Sequence, residues 1–262
     1  MALNDMKRNY SILALGILCG ALLLTACKKE DKSARLMAEY EALEKNVEEQ
    51  FEGDLTPEQA DSLMNHFITE ALALQQAQPQ SDAAYAILEN ICYILNIEQK
   101  EQAFAVLDPD SLEAHHLQRY YDAFLAEKRT AAGMPFTDFT AYTASGEAVT
   151  ISSIVGQKDL LLIDFWASWC GPCRRLMPSI KELLAAHGEH VAVVSVSVDD
   201  DEAAWQRTVG DLGLTWLQLR DTTDEGSHAY GITAIPHTVL IRRDGTILTH
   251  NPTPDEIAAF IE

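Results

Sequence analysis

An apolar run at residues 160–167, interrupted only by Asp164, leads into the pentapeptide WCGPC at residues 169–173, and a helical pattern follows at residues 174–186. A run this apolar is typical of a strand covered on both faces, which restricts the chain to folds with a central sheet between helices. Cys170 and Cys173 therefore lie where a strand ends and a helix begins. Unpaired backbone amides and the helix dipole favour a thiolate at such a position, and two cysteines at this spacing can close a small disulfide.

The cysteine pair has several interpretations: a redox dithiol, a metal site, a haem attachment site or two inert core thiols. A structural zinc site usually draws its ligands from two such pairs, and the sequence contains no second pair. A haem attachment signature places His directly after the second cysteine, but residue 174 is Arg. We therefore predict a redox dithiol of Cys170 and Cys173, with no metal and no other cofactor.

Strands and helices alternate from Gly133 to residue 262. Predicted strands cover residues 136–142, 148–151, 160–167, 191–198, 216–219, 238–242 and 246–249. The first two form a leading hairpin, and the last two form a hairpin about Asp244 and Gly245. Predicted helices cover residues 174–186 and 202–212, and a last helix begins at Pro254, where Thr253 and Glu256 have capping-box spacing. This order predicts an α/β domain over residues 133–262, with a central mixed sheet flanked by helices.

Residues 34–132 show helical periodicity instead and predict a small all-α domain of three or four helices. Helices are expected over residues 35–51, from Pro57, from Ser81, and from Pro109 towards Lys128. No motif in this region indicates a function.

The chain begins with features of an export signal. Lys7 and Arg8 precede an apolar run over residues 12–24, which is short for a membrane span but suits a signal-peptide core. The run ends in Leu-Thr-Ala-Cys at residues 24–27, which resembles the lipobox of bacterial lipoproteins. The resemblance implies a signal peptide over residues 1–26, a lipidated Cys27, and an anchor and linker over residues 27–33.

Such a protein would be held in the cell envelope by its lipid, at the outer membrane and facing the periplasm. The sequence Lys-Lys-Glu-Asp at residues 28–31 resembles the tags of some lipoproteins displayed outside the cell, so surface display is the alternative. The net charge of −21 argues against nucleic-acid partners, because the phosphate backbone would repel so acidic a chain.

The segment LIDFWASWCGPC at residues 162–173 closely resembles the active-site segment of thioredoxins. The segment YGITAIPHTVLI at residues 230–241 resembles the thioredoxin stretch in which a cis-proline, here Pro236, faces the dithiol. The leading hairpin and the long segment at residues 199–230 are more similar to the extracytoplasmic TlpA and ResA branch. The resemblance spans residues 133–262.

The resemblance implies roles for the residues of the WCGPC motif. Cys170 would attack as the thiolate and Cys173 would resolve the mixed disulfide, which agrees with the deeper position of Cys173 in the first helical turn. Trp169, Gly171 and Pro172 would shape the turn. A Gly-Pro pair between the cysteines resembles the reducing members of the superfamily.

Asp164 interrupts the apolar strand six residues before Cys170. Burial raises the pKa of such a carboxyl group, and the resemblance implies that Asp164 takes a proton from Cys173 through water. A structural Asp with satisfied hydrogen bonds is the alternative. The lysine that partners this Asp in thioredoxins would fall near Ser195, where the sequence departs from the pattern.

Pro236 precedes a strand and must lie at a bend or strand start, because proline cannot donate a ladder hydrogen bond. The resemblance implies a cis bond between Ile235 and Pro236 and backbone pairing with the substrate chain beside it. His237 replaces the usual Thr, and it either favours the Cys170 thiolate or faces solvent. Near Asn251 the family often has a glycine, so we expect substrate approach to differ here.

These features together predict a membrane-anchored thiol:disulfide oxidoreductase that reduces protein disulfides outside the cytoplasm, with electrons from a membrane or envelope donor. A disulfide oxidase or isomerase is one alternative, and it would need a higher reduction potential. A peroxide-consuming redoxin is disfavoured because the dithiol has thioredoxin surroundings. The non-enzymatic alternative is a binding lipoprotein in which the thioredoxin-like unit is only a support.

Overall fold

The computed structural model describes residues 32–261, so the expected signal peptide and the lipidation site Cys27 lie outside the described residues. The chain divides into two compact units, residues 1–118 and 119–262. Within residues 32–261, no helix combines the length and apolarity that a membrane crossing requires.

The first unit contains four α-helices in its described part: α1 (Lys32–Phe51), α2 (Pro57–Ala77), α3 (Asp82–Ile91) and α4 (Ile97–Ala105). Thr56 and Gln59 cap α2 through a reciprocal pair of hydrogen bonds, and Ser81 caps α3, so both predicted helix starts are confirmed. Helix α4 was not predicted, although Asn96 and Gln99 form the same kind of capping box.

The helix predicted from Pro109 towards Lys128 is wrong in its first half. Only a 3₁₀ turn forms at Pro109–Ser111, and the next α-helix, α5, spans Gln118–Arg129. His116 adopts a left-handed conformation with φ of 59°, and the amide of Leu117 donates to the carbonyl oxygen of Leu112. This is the geometry of a helix end, which the adjacent histidines did not signal.

The second unit contains a seven-stranded mixed sheet with the order β2-β1-β5-β4-β3-β6-β7. The strands are β1 (Thr140–Tyr142), β2 (Ala148–Thr150), β3 (Leu160–Trp166), β4 (Val191–Ser197), β5 (Leu217–Arg220), β6 (His237–Arg242) and β7 (Ile247–His250). Its helices after α5 are α6 (Gly171–His187), α7 (Glu202–Asp211), α8 (Glu225–Ala229) and α9 (Pro254–Ala259). The predicted fold is confirmed, with two differences: β1 is shorter than expected and α8 was not predicted.

Strand β3 is an interior strand of the sheet, parallel to β4 and antiparallel to β6, and all of its residues are buried. Its side chains alternate between two clusters. Leu162 and Trp166 pack with Cys170 and Cys173 on one face, while residues 161, 163 and 165 pack on the other face. Asp164 therefore points to the face that carries the two cysteines.

Helix α5 belongs to the second unit, together with the sheet. Gly231, in the loop before β6, has φ of 62°, and a Cβ atom there would collide with the carbonyl oxygen of Ala123 on α5. The close approach of these two backbones therefore requires glycine at position 231.

Candidate functional site

Cys170 is the N-cap of α6, and it forms a disulfide with Cys173 across the first turn. The backbone amide of Cys173 lies 3.1 Å from Cys170 Sγ and points at it. Cys170 is 5% exposed and Cys173 is fully buried, so the sulfur at the helix start is the more accessible one. In the dithiol state the same amide and the helix dipole would stabilise a Cys170 thiolate.

The residues around the cysteines form the rim of the site. Trp169 is 69% exposed and presents its ring to solvent beside the disulfide. Pro172 lies in the first turn of α6, where its missing amide leaves no hydrogen bond unmade. Gly171 has room for a side chain, since a Cβ atom added there would lie 3.7 Å from its nearest neighbour, the guanidinium of Arg175.

The loop before β6 lies against the attacking sulfur. The peptide bond between Ile235 and Pro236 is cis, and the carbonyl oxygen of Ile235 is 3.8 Å from Cys170 Sγ. Strand β6 begins directly afterwards at His237, so Pro236 stands at a strand start, as the sequence predicts. The structure thus brings Ile235, Pro236 and the dithiol together.

His237 does not simply face solvent. Its Nε2 lies 2.9 Å from Nδ1 of His250 on β7, and Nε2 of His250 lies 2.6 Å from the carbonyl oxygen of Thr130, just after α5. The residue after the cis-proline is therefore connected through two imidazole rings to the end of α5. The predicted hairpin of β6 and β7 is confirmed, but sequence reasoning missed His250, because its contact with His237 depends on the register of the hairpin.

Asn251 follows β7 with φ of 51°. Its side-chain oxygen accepts from the amide of Thr238, and its own amide donates to the carbonyl oxygen of Thr238. Asn tolerates this left-handed conformation better than most residues other than glycine.

Asp164 is fully buried in β3, and its Oδ2 accepts a hydrogen bond of 2.8 Å from the hydroxyl of Ser195 on β4. Burial raises the pKa of Asp164 to about 7, and the Ser195 hydrogen bond opposes that rise. Position 195, where the thioredoxin lysine is absent, thus supplies a direct partner to Asp164. Ser195 also accepts from the indole of Trp216, which sequence reasoning did not single out.

A second buried carboxylate, Asp199, holds the chain that leads into the cysteines. Its two oxygens accept from the hydroxyl and the amide of Ser168, at 2.6 and 2.8 Å, and one also accepts from the hydroxyl of Ser197. Asp199 follows the end of β4 and Ser168 follows β3, so both lie at the carboxyl ends of parallel strands. That placement was a signal in the sequence, because such ends meet at one edge of a sheet.

The arrangement can exchange a disulfide with a second molecule. It contains an accessible sulfur at a helix start, a buried sulfur within reach of it, and a buried carboxyl group on the same face of the sheet. Among residues 32–261 no group of three or more His, Cys, Asp or Glu side chains is arranged to hold a metal ion.

Residues 131–258 match the model of the Redoxin family. The chain is 29% identical over 148 residues to the thiol-disulfide oxidoreductase ResA of Halalkalibacterium halodurans, covering 55% of this chain and 83% of that protein. It is 32% identical over 119 residues to the thioredoxin-like protein YneN of Bacillus subtilis, covering 44% of this chain and 68% of that protein. A solved thiol-disulfide oxidoreductase from Bacteroides fragilis is 26% identical and superimposes with a TM-score of 0.44, covering 48% of this chain and 95% of that one.

Proposed function

This chain belongs to the thioredoxin superfamily as a TlpA/ResA-like thiol:disulfide oxidoreductase, and we propose that it reduces protein disulfides outside the cytoplasm. The observation that carries the proposal is the position of Cys170. It is the N-cap of α6, it is the more exposed sulfur of the pair, and it lies 3.8 Å from the carbonyl oxygen beside the cis-proline. A client chain that pairs with the backbone there would present its disulfide to this sulfur.

The reaction consumes one substrate disulfide and two protein thiols. The Cys170 thiolate attacks a substrate sulfur, so a Cys170–substrate bond forms and the other substrate sulfur leaves as a thiolate that takes up a proton. Cys173 then loses its proton and attacks Cys170 Sγ, which releases the second substrate thiolate. The products are a reduced substrate and the Cys170–Cys173 disulfide.

In this proposal Asp164 accepts the proton of Cys173 through water. It suits the task because burial raises its pKa to about 7, close to neutral pH, and because it points to the cysteine face of the sheet. An aspartate with an unshifted pKa would be too weak a base to take the proton of a thiol efficiently at neutral pH.

The direction of electron flow distinguishes a reductase from an oxidase or isomerase. The first measurement is the reduction potential of the purified protein, obtained by thiol alkylation after equilibration in glutathione or dithiothreitol buffers, with Cys170→Ser as the control. A reduction potential of about −270 mV supports reduction of client disulfides, whereas a potential of about −120 to −180 mV would favour oxidation or isomerisation. Absence of any redox transition that depends on Cys170 would favour a binding lipoprotein.

A reductase outside the cytoplasm needs a supply of electrons, and we assign that role to a thiol-bearing donor in the membrane or envelope. The proposed location rests on the lipobox-like segment ending at Cys27 and on the apolar run before it. Incorporation of a labelled fatty acid, abolished by Cys27→Ser, would support the lipid anchor. Incorporation that persists in this variant would contradict it. Protection from protease in intact cells would argue for a periplasmic rather than a surface-displayed protein.

A further inference from the structure

A chain of three side chains ends at the buried Asp164. The indole Nε1 of Trp216, just before β5, lies 2.9 Å from Ser195 Oγ, and Ser195 Oγ lies 2.8 Å from Asp164 Oδ2. The other carboxyl oxygen, Oδ1, is buried and has no hydrogen-bond partner among the described residues. The two oxygens of this carboxyl group therefore have different surroundings.

The donor and acceptor roles in this chain follow from chemistry. An indole N–H can only donate, so it occupies a lone pair of the Ser195 oxygen. The single hydroxyl hydrogen of Ser195 is then left for Asp164, which places Oδ2 in the acceptor role whether or not the carboxyl group is protonated. A proton that binds Asp164 accordingly binds at Oδ1.

We propose that Trp216 and Ser195 are positioning residues for Asp164, which direct its proton to Oδ1 and replace, with neutral donors, the lysine expected near position 195. The proposal rests on the proton-transfer role given to Asp164 above. It assigns Trp216 a task in the reaction although Trp216 precedes β5, whereas both cysteines lie at the start of α6.

The surroundings of Asp164 support a proton relay in which its direct hydrogen-bond partner is neutral. The pKa of Asp164 is governed by burial, which raises it, and by the Ser195 hydrogen bond, which lowers it. On this side of the sheet the two cysteines are joined in a disulfide, and the other buried carboxylate is Asp199 at the end of β4, which is bound to serines. The partly buried Arg220 of β5 is bonded to Glu202 and to the carbonyl oxygen of Asp199. The Asp, Glu, Lys and Arg residues of α6, α7 and α9, whose apolar side chains pack on this face, are all exposed.

The test is a carboxyl titration of the oxidised protein, followed by NMR of ¹³C-labelled aspartate, with Asp164→Asn to assign the signal. Ser195→Ala removes the hydrogen bond to the charged carboxylate, so the midpoint should move upward by about one pH unit. Trp216→Phe should move it in the same direction by less, because the hydroxyl remains but is no longer held. In the double variant Trp216→Phe should add nothing to the effect of Ser195→Ala.

Trp205 provides a matched control. It is a buried tryptophan of the same cluster, and its indole nitrogen has no hydrogen-bond partner among the described residues. Trp205→Phe should lower stability and leave the Asp164 midpoint in place. An unchanged midpoint in Ser195→Ala, additive effects in the double variant, or an equal shift in Trp205→Phe would each overturn the proposal.

The titration needs no substrate and no electron donor. Failure of the wild-type protein to reduce insulin would therefore count against the proposed function, while the midpoint shifts would still decide the role of Trp216 and Ser195.

Discussion

Asp199 binds Ser168 with both carboxylate oxygens, so that the segment entering the WCGPC motif is attached to the end of the neighbouring strand. Because Asp199 is only 3% exposed, its removal leaves buried donors without partners. We expect Asp199→Ala to lower the free energy of unfolding by about 2–3 kcal/mol. Disulfide reduction should slow as Cys170 loses its fixed position. Urea unfolding and an insulin-reduction assay measure the two effects.

Asp200 is the control for this prediction, because it is the next residue and is exposed. Asp200→Ala should change neither quantity appreciably. Equal effects of the two variants would show that the contact with Ser168 is unimportant.

The two cysteines should behave differently when one is replaced. Cys173→Ser removes the resolving thiol, so Cys170 should accumulate as a mixed disulfide with a client or a model peptide. Cys170→Ser should form no such adduct, because Cys173 is fully buried. Non-reducing electrophoresis with mass spectrometry identifies the adduct, and trapping by Cys170→Ser in preference to Cys173→Ser would reverse the assigned order.

Asp164 should make the oxidised protein less stable as the pH rises. Burial raises its pKa from 3.8 to about 7, so between these values the folded chain binds a proton that the unfolded chain does not. The free energy of unfolding should therefore fall by up to about 4 kcal/mol from pH 4 to pH 7 through this group and stay level above pH 7.

Asp164→Asn should remove this contribution, so its stability relative to the wild type should increase with pH. Urea unfolding at pH 5 and pH 8 provides the comparison. The prediction fails if the difference between the two proteins is the same at both pH values.

Gly231 and Gly146 separate steric collision from backbone strain. Both glycines have positive φ. A Cβ atom added at Gly231 would collide with the backbone of α5, whereas one added at Gly146 would contact nothing. Gly231→Ala should lower the free energy of unfolding by more than about 2 kcal/mol, whereas Gly146→Ala should cost about 1 kcal/mol from strain alone. Thermal or urea unfolding that ranks the two variants equally would contradict the close packing of the loop on α5.

The imidazole pair of His237 and His250 should have fixed tautomers. The carbonyl oxygen of Thr130 can only accept, so His250 carries its proton on Nε2 and, when neutral, accepts at Nδ1 from His237 Nε2. Long-range ¹H–¹⁵N NMR at pH 8 should show the Nε2–H form of both rings, and His250→Phe should release that constraint on His237. Finding His250 protonated at Nδ1 alone would refute the hydrogen-bonded chain.

The parts of the fold that local patterns describe could be predicted from the sequence. Strand β3 has an apolar run and helix α6 has helical periodicity, and the motif between them places the cysteines. The signal for α4 is present in the capping box of Asn96 and Gln99, although the helix was not predicted. The break before α5 could not be predicted, because no residue type near it indicates that His116 adopts a left-handed conformation.

From the residues alone the site was predictable where it lies in a short segment, and Pro236 was placed beside the dithiol only by the resemblance to thioredoxins. Cys170, Cys173 and Asp164 fall on one strand–helix unit, so sequence reasoning found them. The contact between Trp216 and Ser195 depends on β5 lying beside β4, and that of His237 with His250 depends on the register of β6 and β7. The hairpin of β6 and β7 could be predicted from its turn, but neither its register nor the pairing of β5 with β4 is encoded in the local spacing of apolar residues.

Because of helix α5, the segment that recombination would have to transfer as one piece begins before Gly133. Its backbone touches Gly231 in the loop that carries the cis-proline, and the carbonyl group after it anchors His250. A recombination event that joined the sheet to a new N-terminal partner at Gly133 would leave both contacts behind. The smallest segment that keeps both contacts therefore starts near Arg119 and includes this helix as well as the strands.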